Sequence, residues 1–459
     1  MTPSRIARFM AEMFPISNLS SCRLLDAGAG IGALSCAFLD RWKEGGFGFQ
    51  HVEITAYEID KELRNHLEQN LSSYQKIYSH IVEGDFITQS VKGLTEKGRY
   101  THVILNPPYK KISVHSEHRL ALRKVGIETV NLYSAFVALS ILQAVPQGQI
   151  VAILPRSFCN GPYYRSFREL ILQKTAIRHI HLFESRNKAF QDDKVLQENI
   201  IIRLERNGKQ GPVTISTSTD GSFQDVTSCE QNFDRIVSPE DSEQFIHIPI
   251  TRNVISVEHS SVINCSLEDL GIKISTGPVV DFRMKEHLRS MPEIGTVPLL
   301  YPLHFRNDSV TWPMLGGKKP NAIKRNAVTE KWLYPNGFYC IVKRFSSKEE
   351  KRRIIARVVT PGSFKNASSL GFENHLNLFH QNKQGLPREI AYGLYVFLNS
   401  TDVDKYFRCF NGHTQVNATD LRKLKYPNRE ILMALGNWAL RQENLSQMAI
   451  DLKIKEFTV

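Results

Sequence analysis

Between Arg23 and Leu204 the chain repeatedly changes period. Runs of β-formers end in Gly, Pro, Asn or Asp and are followed by segments whose apolar residues recur at helical spacing. "RLLDAGAGIGALSCAFL" reads as a short buried strand, a glycine turn and an apolar helix, and "EITAYEID" as a second strand leading into the helical "KELRNHLEQNL". "YTHVIL", "GQIVAILP", "IRHIHLF" and "VLQENIIIRL" read as further strands, with helices predicted over "VNLYSAFVALSILQAV" and "YYRSFRELILQ". Strands separated by helices can share a sheet only through crossover connections, so the pattern predicts a doubly wound, Rossmann-like α/β sheet. Its ligand crevice should lie at the carboxyl ends of the strands. Ahead of it, Ile6, Phe9, Met10 and Met13 fall on one helical face, and Thr2-Pro3 is placed as an N-cap and first-turn proline.

The alternation fails from about Gly208 to Ile250, a stretch rich in Ser, Thr, Asp and Gln. This predicts a catalytic domain over 1–245 and a second, mixed α+β domain over 246–459. A length of 459 residues accommodates two cores, and 42% hydrophobic residues argue against disorder. No apolar run approaches the roughly 18 to 20 residues needed to span a bilayer. The start "MTPSRIARFMAEMF" lacks the apolar core of a signal peptide, so no membrane association and a cytoplasmic location are expected. Seven cysteines without a C-x-x-C pair suit reduced thiols rather than disulfides or a metal site. A formal charge of +12 favours a polyanionic partner.

In "LLDAGAGIGALS", Asp26 closes the strand, while Gly28, Gly30 and Gly32 allow a tight turn and a close approach to a ligand. The spacing is not that of a dinucleotide fingerprint, and an acid ahead of the turn would repel a pyrophosphate. It would attract an ammonium. This points to S-adenosylmethionine, a nucleoside cofactor with a charged amino-acid end. Glu58, ending the next strand and followed by Ile59, is placed to accept hydrogen bonds from two ribose hydroxyls. Asp85 and Phe86 in "EGDF" offer an acceptor for the adenine amine and a face for its ring, although a helix cap and a core aromatic explain the same residues.

"VILNPPYKK" ends its strand with Asn106, Pro107 and Pro108, then sets Tyr109 beside Lys110 and Lys111. Two prolines fix the backbone, holding the Asn106 amide oxygen and the Pro107 carbonyl at one separation. The pair matches an NH2 group. An aromatic amine is a poor nucleophile because its lone pair is delocalised. Two acceptors on its hydrogens favour a more tetrahedral nitrogen and stabilise the charge that develops during methyl transfer. Tyr109 supplies a stacking face, and the two lysines suit phosphates.

Together with "TPSRIARFM", "YEID", "AILPRSF", "FESRNKAF" and "VLQENIII", these motifs resemble in order those of the amino-terminal-catalytic adenine-specific N6 DNA methyltransferases of restriction–modification systems. The resemblance implies that Thr2 sits at the methionine end of the cofactor. It also implies that Asn106 to Tyr109 hold an adenine flipped from double-stranded DNA, with Phe190 in "NKAF" pressing on its other face. In the family, residues precede the Thr-Pro motif. Here Met1 alone does, which bears on the Thr2 contact. A cognate restriction endonuclease is implied as a functional partner, and a monomer is expected.

"STGPVVDFR", "LLYPLHF", "KKPNAI", "KRFSSKEEKRR" and "NGHTQVNATDLRKLKYP" resemble the target-recognition half of a subgroup of these enzymes. In "VKRFSSKEEKRRIIARV", the cations Lys343, Arg344, Lys348, Lys351, Arg352, Arg353 and Arg357 are expected to grip a DNA backbone, against the alternative of a solvated face. Lys318, Lys319, Lys324, Arg325, Arg422, Lys423 and Lys425 are weaker candidates. Asn411, His413, Gln415 and Asn417 read as ordering a turn rather than contacting bases. Two other functions fit the motifs: methylation of a glutamine side-chain amide, whose NH2 is also conjugated, and a catalytically silent DNA-specificity subunit.

Overall fold

The computed structural model describes residues 2–184, 198–250, 260–306, 309–346, 350–364, 366–411 and 414–458. They form two compact units, Met1–Arg252 and Asn253–Val459. The strands of the first are β1 (Ser21–Ala27), β2 (His51–Glu58), β3 (Ile77–Glu83), β4 (Tyr100–Leu105), β5 (Ala144–Pro155), β6 (Thr175–Phe183), β7 (Asn199–Arg206), β8 (Val213–Ser218) and β9 (Thr227–Gln231). Its main helices are α1 (Ser4–Glu12), α2 (Ala33–Lys43), α3 (Lys61–Ser72), α4 (Phe86–Lys92), α5 (Glu117–Lys124), α6 (Leu132–Gln143) and α7 (Arg165–Lys174).

The strands form one sheet in the order β3-β2-β1-β4-β5-β7-β6-β8-β9. From β3 to β5 all pairings are parallel, and β7 runs antiparallel between β5 and β6. The chain winds outward from β1 to β3, then crosses to the other side of β1, so the switch point lies between β1 and β4. Leu24, Leu25, Val103, Ile104 and Leu105 are all fully buried because both sheet faces are covered, which is why these strands read as continuous apolar runs. Ile6 and Met10 of α1 and Phe38 of α2 pack on one face, while the almost wholly buried α6 packs on the other.

Two elements differ from the sequence reading. β8 and β9 occupy the stretch where the alternation of strands and helices fails, and extend the sheet. Their Ser and Thr residues look loop-like in isolation, but β6 supplies their partners: Ser216 Oγ lies 2.7 Å from His179 Nε2 and 2.8 Å from His181 Nδ1. At the amino terminus, Pro3 rather than Thr2 caps α1, and the Thr2 hydroxyl is engaged elsewhere.

The second unit contains a four-stranded antiparallel sheet, in the spatial order Lys273–Thr276, Leu376–His380, Tyr339–Lys343 and Ala356–Val359. A five-stranded sheet of shorter strands includes Thr296–Leu300 and Ser369–Phe372. Helices Arg388–Leu398 and Arg429–Ala439 cross closely, since a Cβ on Gly393 would overlap the Leu432 carbonyl oxygen and one on Gly436 the Glu389 carbonyl oxygen. All seven cysteines are free thiols. Among the described residues, no helix is long and apolar enough to cross a membrane. Gly436→Ala should push this crossing apart and destabilise the second unit by about 1–3 kcal/mol. The effect is measurable as a lowered urea midpoint of the full chain, and an unchanged midpoint would contradict the packing described.

Candidate active site

β1, β2 and β4 deliver the expected residues to one edge of the sheet. Asp26 is fully buried at the end of β1. Its Oδ2 accepts a 2.7 Å hydrogen bond from Ser35 in the first turn of α2, while Oδ1 is buried without a hydrogen-bond partner among the described residues. Burial pushes the Asp26 carboxyl up to about 7, the Ser35 hydrogen bonds oppose this, and nearby Glu58 adds to it. Gly28, Gly30 and Gly32 have φ of 80°, 56° and 87°, a region that glycine alone adopts readily. A side chain on Gly30 would meet only open space, so its absence serves the backbone conformation and the approach of a ligand rather than packing.

Glu58 spans the next turn. Its Oε2 accepts from Gly30 N and its Oε1 from Asp60 N, both at 2.8 Å, and each oxygen keeps a second lone pair. The carboxylate therefore ties the glycine turn to the start of α3, where Asp60 is the N-cap. Asp85 caps α4 through Thr88 N at 2.8 Å, and its Oδ2 lies 3.1 Å from His118 Nε2. Phe86 requires a correction: it is only 3% exposed, with Tyr57 edge-on at 5.0 Å and Phe136 at 4.8 Å, so it is a core residue rather than an open stacking face. The open apolar side chain here is Ile59, 70% exposed.

Asn106 follows β4. Its Nδ2 donates to Thr2 Oγ1 at 3.0 Å, and its Oδ1 accepts from the Tyr109 hydroxyl at 3.3 Å. The Tyr109 hydroxyl also lies 3.4 Å from the Ile153 carbonyl of β5. The Tyr109 ring stands edge-on to Tyr133 at 6.1 Å. Pro107 is buried, whereas Pro108, Lys110 and Lys111 are exposed. Phe190 lies outside the described residues.

Sequence reasoning missed the residues that hold this corner. Leu132 N donates to the Lys110 carbonyl, Lys111 pairs with Asn131, and the Asn131 amide donates to the Tyr164 hydroxyl. Ser35 and His118 were missed too. Ser35 lies nine residues beyond Asp26, on the first turn of the following helix, where a polar residue in an apolar segment was the available signal. Nothing local marks His118.

The basic run of the second unit is mostly turned inward. Arg353 is 1% exposed, and its guanidinium donates to Asn411 Oδ1 at 2.7 Å and to Ser346 Oγ at 3.2 Å. Arg352 donates to the Ser400 carbonyl at 2.6 Å and to Gln447. Both leave the set of DNA-backbone candidates, because a phosphate needs a cation it can reach. Lys343 pairs with Glu350 at 3.3 Å, and Arg344 donates to the Asn374 carbonyl and to Gln415 Oε1. Lys351 is exposed with no ion-pair partner among the described residues, and Lys348 lies outside them. Asn411 and Asn417 both bond Asp420 and order a turn, while His413 lies outside the described residues.

The model of the Eco57I restriction-modification methylase family matches residues 20–190. The chain is 54% identical over 467 residues to the type II methyltransferase M.BsuBI of Bacillus subtilis, covering 99% of this chain and 92% of that one. It is 43% identical over 450 residues to M.PstI of Providencia stuartii, covering 95% and 88%. Among solved structures, the type IIL restriction-modification enzyme MmeI in complex with DNA superposes with a TM-score of 0.54 at 12% identity, over 95% of this chain and 68% of that one, a likeness of fold alone. The sheet order is that of a doubly wound, Rossmann-like α/β fold, and the chain belongs to the type II DNA methyltransferases of restriction–modification systems.

Proposed function

We propose that the enzyme transfers a methyl group from S-adenosylmethionine to N6 of an adenine flipped out of double-stranded DNA, as the modification half of a restriction–modification pair. The observation that carries this reading is the Asn106 corner. With Nδ2 held by Thr2, the amide is oriented so that Oδ1 and the Pro107 carbonyl remain as two acceptors on a stiff backbone. Among the described residues, no donor occupies the Pro107 oxygen. That pair suits a conjugated NH2, and an amine inside a duplex must leave the stack to reach it. Tyr109 offers one face for the base, Phe190 is assigned the other, and Lys110 and Lys111 suit the adjoining phosphates.

The residues at the neighbouring strand ends fit the cofactor. The unpartnered Oδ1 of Asp26 suits the ammonium of its amino-acid end. The remaining lone pairs of Glu58 suit two ribose hydroxyls, Ile59 offers an apolar cover for the adenine, and Asp85 an acceptor for its amine. When bound, S-adenosylmethionine supplies an electrophilic methyl group on a sulfonium. Asn106 and Pro107 then hold the amine hydrogens and stabilise the charge that grows on nitrogen, without a strong base. The cation-bearing second unit is assigned target recognition.

Asn106→Ala should keep cofactor affinity and lose transfer by about 10²-fold or more, as loss of a preorganised hydrogen-bond partner does elsewhere. Tritiated cofactor with unmethylated genomic DNA reads both quantities, and label recovered other than in N6-methyladenine would contradict the reaction. Lys110→Ala with Lys111→Ala should lower the slope of log affinity against log salt by roughly one unit for each phosphate left without its cation. An unchanged slope would return these lysines to ordinary solvated surface.

Asp26→Asn separates stability from binding. The folded carboxyl titrates near 7, above the ordinary 3.8, so the fold favours the neutral acid. The stability associated with that group is fully present below about pH 4 and is lost as pH rises through about 7. Cofactor-free Asp26→Asn should therefore exceed wild type in the unfolding free energy read from urea titrations at pH 8, by an order of a few kcal/mol, with a smaller gap at pH 5. Its cofactor affinity should fall about tenfold or more, through loss of a charge-assisted hydrogen bond. A gap that does not change with pH would refute this account of Asp26.

A further inference from the structure

Asp85 stands in line with the other acids of the strand-end crevice. β3 pairs in parallel with β2, Glu83 lying opposite Glu58, so the turn after β3 brings Asp85 to the same sheet edge as Glu58 and the glycine turn. Phe86, buried in the core, anchors the backbone next to it, while the Asp85 side chain stays 27% exposed. Oδ1 accepts from Thr88 N at 2.8 Å as the cap of α4. Oδ2 is met by His118 Nε2 at 3.1 Å.

His118 is held by a braced element. It lies in the first turn of α5, which Ser116 caps through Arg119 N at 3.3 Å. α5 belongs to an excursion that leaves the Asn106 corner and returns to α6. Its base is closed by Leu132 N donating to the Lys110 carbonyl and Ile112 N to the Val130 carbonyl, both at 2.8 Å. Leu122 and Ile127 are buried within it, and Glu128 accepts from Arg119 Nε at 2.9 Å and Arg123 Nε at 2.7 Å. The element that presents the imidazole to Asp85 is therefore continuous with the one that carries Asn106 to Tyr109.

A carboxylate only accepts hydrogen bonds, so Nε2 is a nitrogen that carries a hydrogen. The neutral ring and the imidazolium both supply it, and the contact does not depend on the charge of the histidine. With Oδ1 fixed by the helix cap and Oδ2 by the ring, the carboxylate is restrained at both ends against turning about its own bond, and each oxygen keeps a lone pair. An acceptor oriented in advance binds a donor without the ordering cost a freely turning one bears. A second pair in the molecule runs the other way. In the second unit Glu373 is completely buried and uses both oxygens on His375, Oε1 lying 2.5 Å from Nδ1 and Oε2 accepting the backbone N–H at 2.9 Å. There the acid holds the ring.

We infer that His118 is a positioning residue for the cofactor: it locks the Asp85 carboxylate so that the remaining lone pair of Oδ2 meets the 6-amine of the adenine. This rests on the reading of the crevice as the S-adenosylmethionine site. The test is calorimetry on the full chain with two probes, S-adenosylhomocysteine and its analogue carrying hydrogen in place of the 6-amine. Wild type should bind the first about 10- to 100-fold more tightly, the range of a hydrogen bond to a charged group. His118→Ala should compress that ratio to about threefold or less, whereas His118→Gln, whose amide offers an N–H donor at similar reach, should keep most of it. A residue that merely supports the fold would weaken both probes alike and leave the ratio unchanged. The same ratio in His118→Ala as in wild type would therefore overturn the inference, and so would a loss in His118→Gln as complete as in His118→Ala. His118→Phe keeps the ring volume without the donor and carries the comparison if His118→Ala fails to fold. Wild type that binds neither probe, or does not prefer the amine, would sink the cofactor reading and this inference with it; a preference that survives in His118→Ala would sink this inference alone.

Discussion

The parallel pairing of β1 with β4 sets Asp26 opposite Ile104, two residues ahead of Asn106. Every proposed contact depends on that register. β1 also pairs with β2 along its whole length, Asp26 lying opposite Ala56, so Glu58, the acid that ends β2, arrives beside the glycine turn rather than a strand away from it. A one-residue slip would turn each of these side chains to the opposite face of the sheet. Slippage is opposed because both faces are buried, and the apolar residues of β1 and β4 have no tolerable alternative register.

The same corner leaves polar groups incompletely satisfied. Asp26 has a buried oxygen without a partner among the described residues, and burial has raised its pKa to about 7. The amide of Asn106 is satisfied on its nitrogen by Thr2 but only weakly on its oxygen by Tyr109. Groups of this kind reduce stability in the free protein and become satisfied when a ligand supplies the missing partner. Thr2 is instructive because it stands just ahead of α1 without capping it. The burial of Ile6 and Met10 of α1 against the sheet thus serves, among other things, to bring one hydroxyl to one amide.

How much of this was legible depended on whether the signal was local. The strands, the glycine turn and the acids after it could be read because each is marked by residue types within a few positions, and their order along the chain matched that of one ligand's parts. Partners supplied from far along the chain were not legible. Ser216 reads as loop until His179 and His181 lie beside it, and Arg353 reads as a surface cation until Asn411, 58 residues later, receives it. Charge density identified a basic run but not its direction. Asp404, through Arg408 and the backbone of Arg353 and Ile354, turns the run into a clamp on the helix Thr401–Phe410.

Two histidine–carboxylate pairs show why context governs what such a pair can do. In the first unit the carboxylate is the partly exposed Asp85, whose Oδ1 is already committed to the helix cap, so His118 meets the remaining oxygen. An incoming amine there must share Oδ2 with the imidazole, and the pair acts by orienting the acid. In the second unit the acid is wholly buried and both its oxygens point to one residue, so the asymmetry reverses and the acid orients the imidazole. In the first pair the helix cap and the imidazole together hold the acid, and in the second the buried acid holds the imidazole.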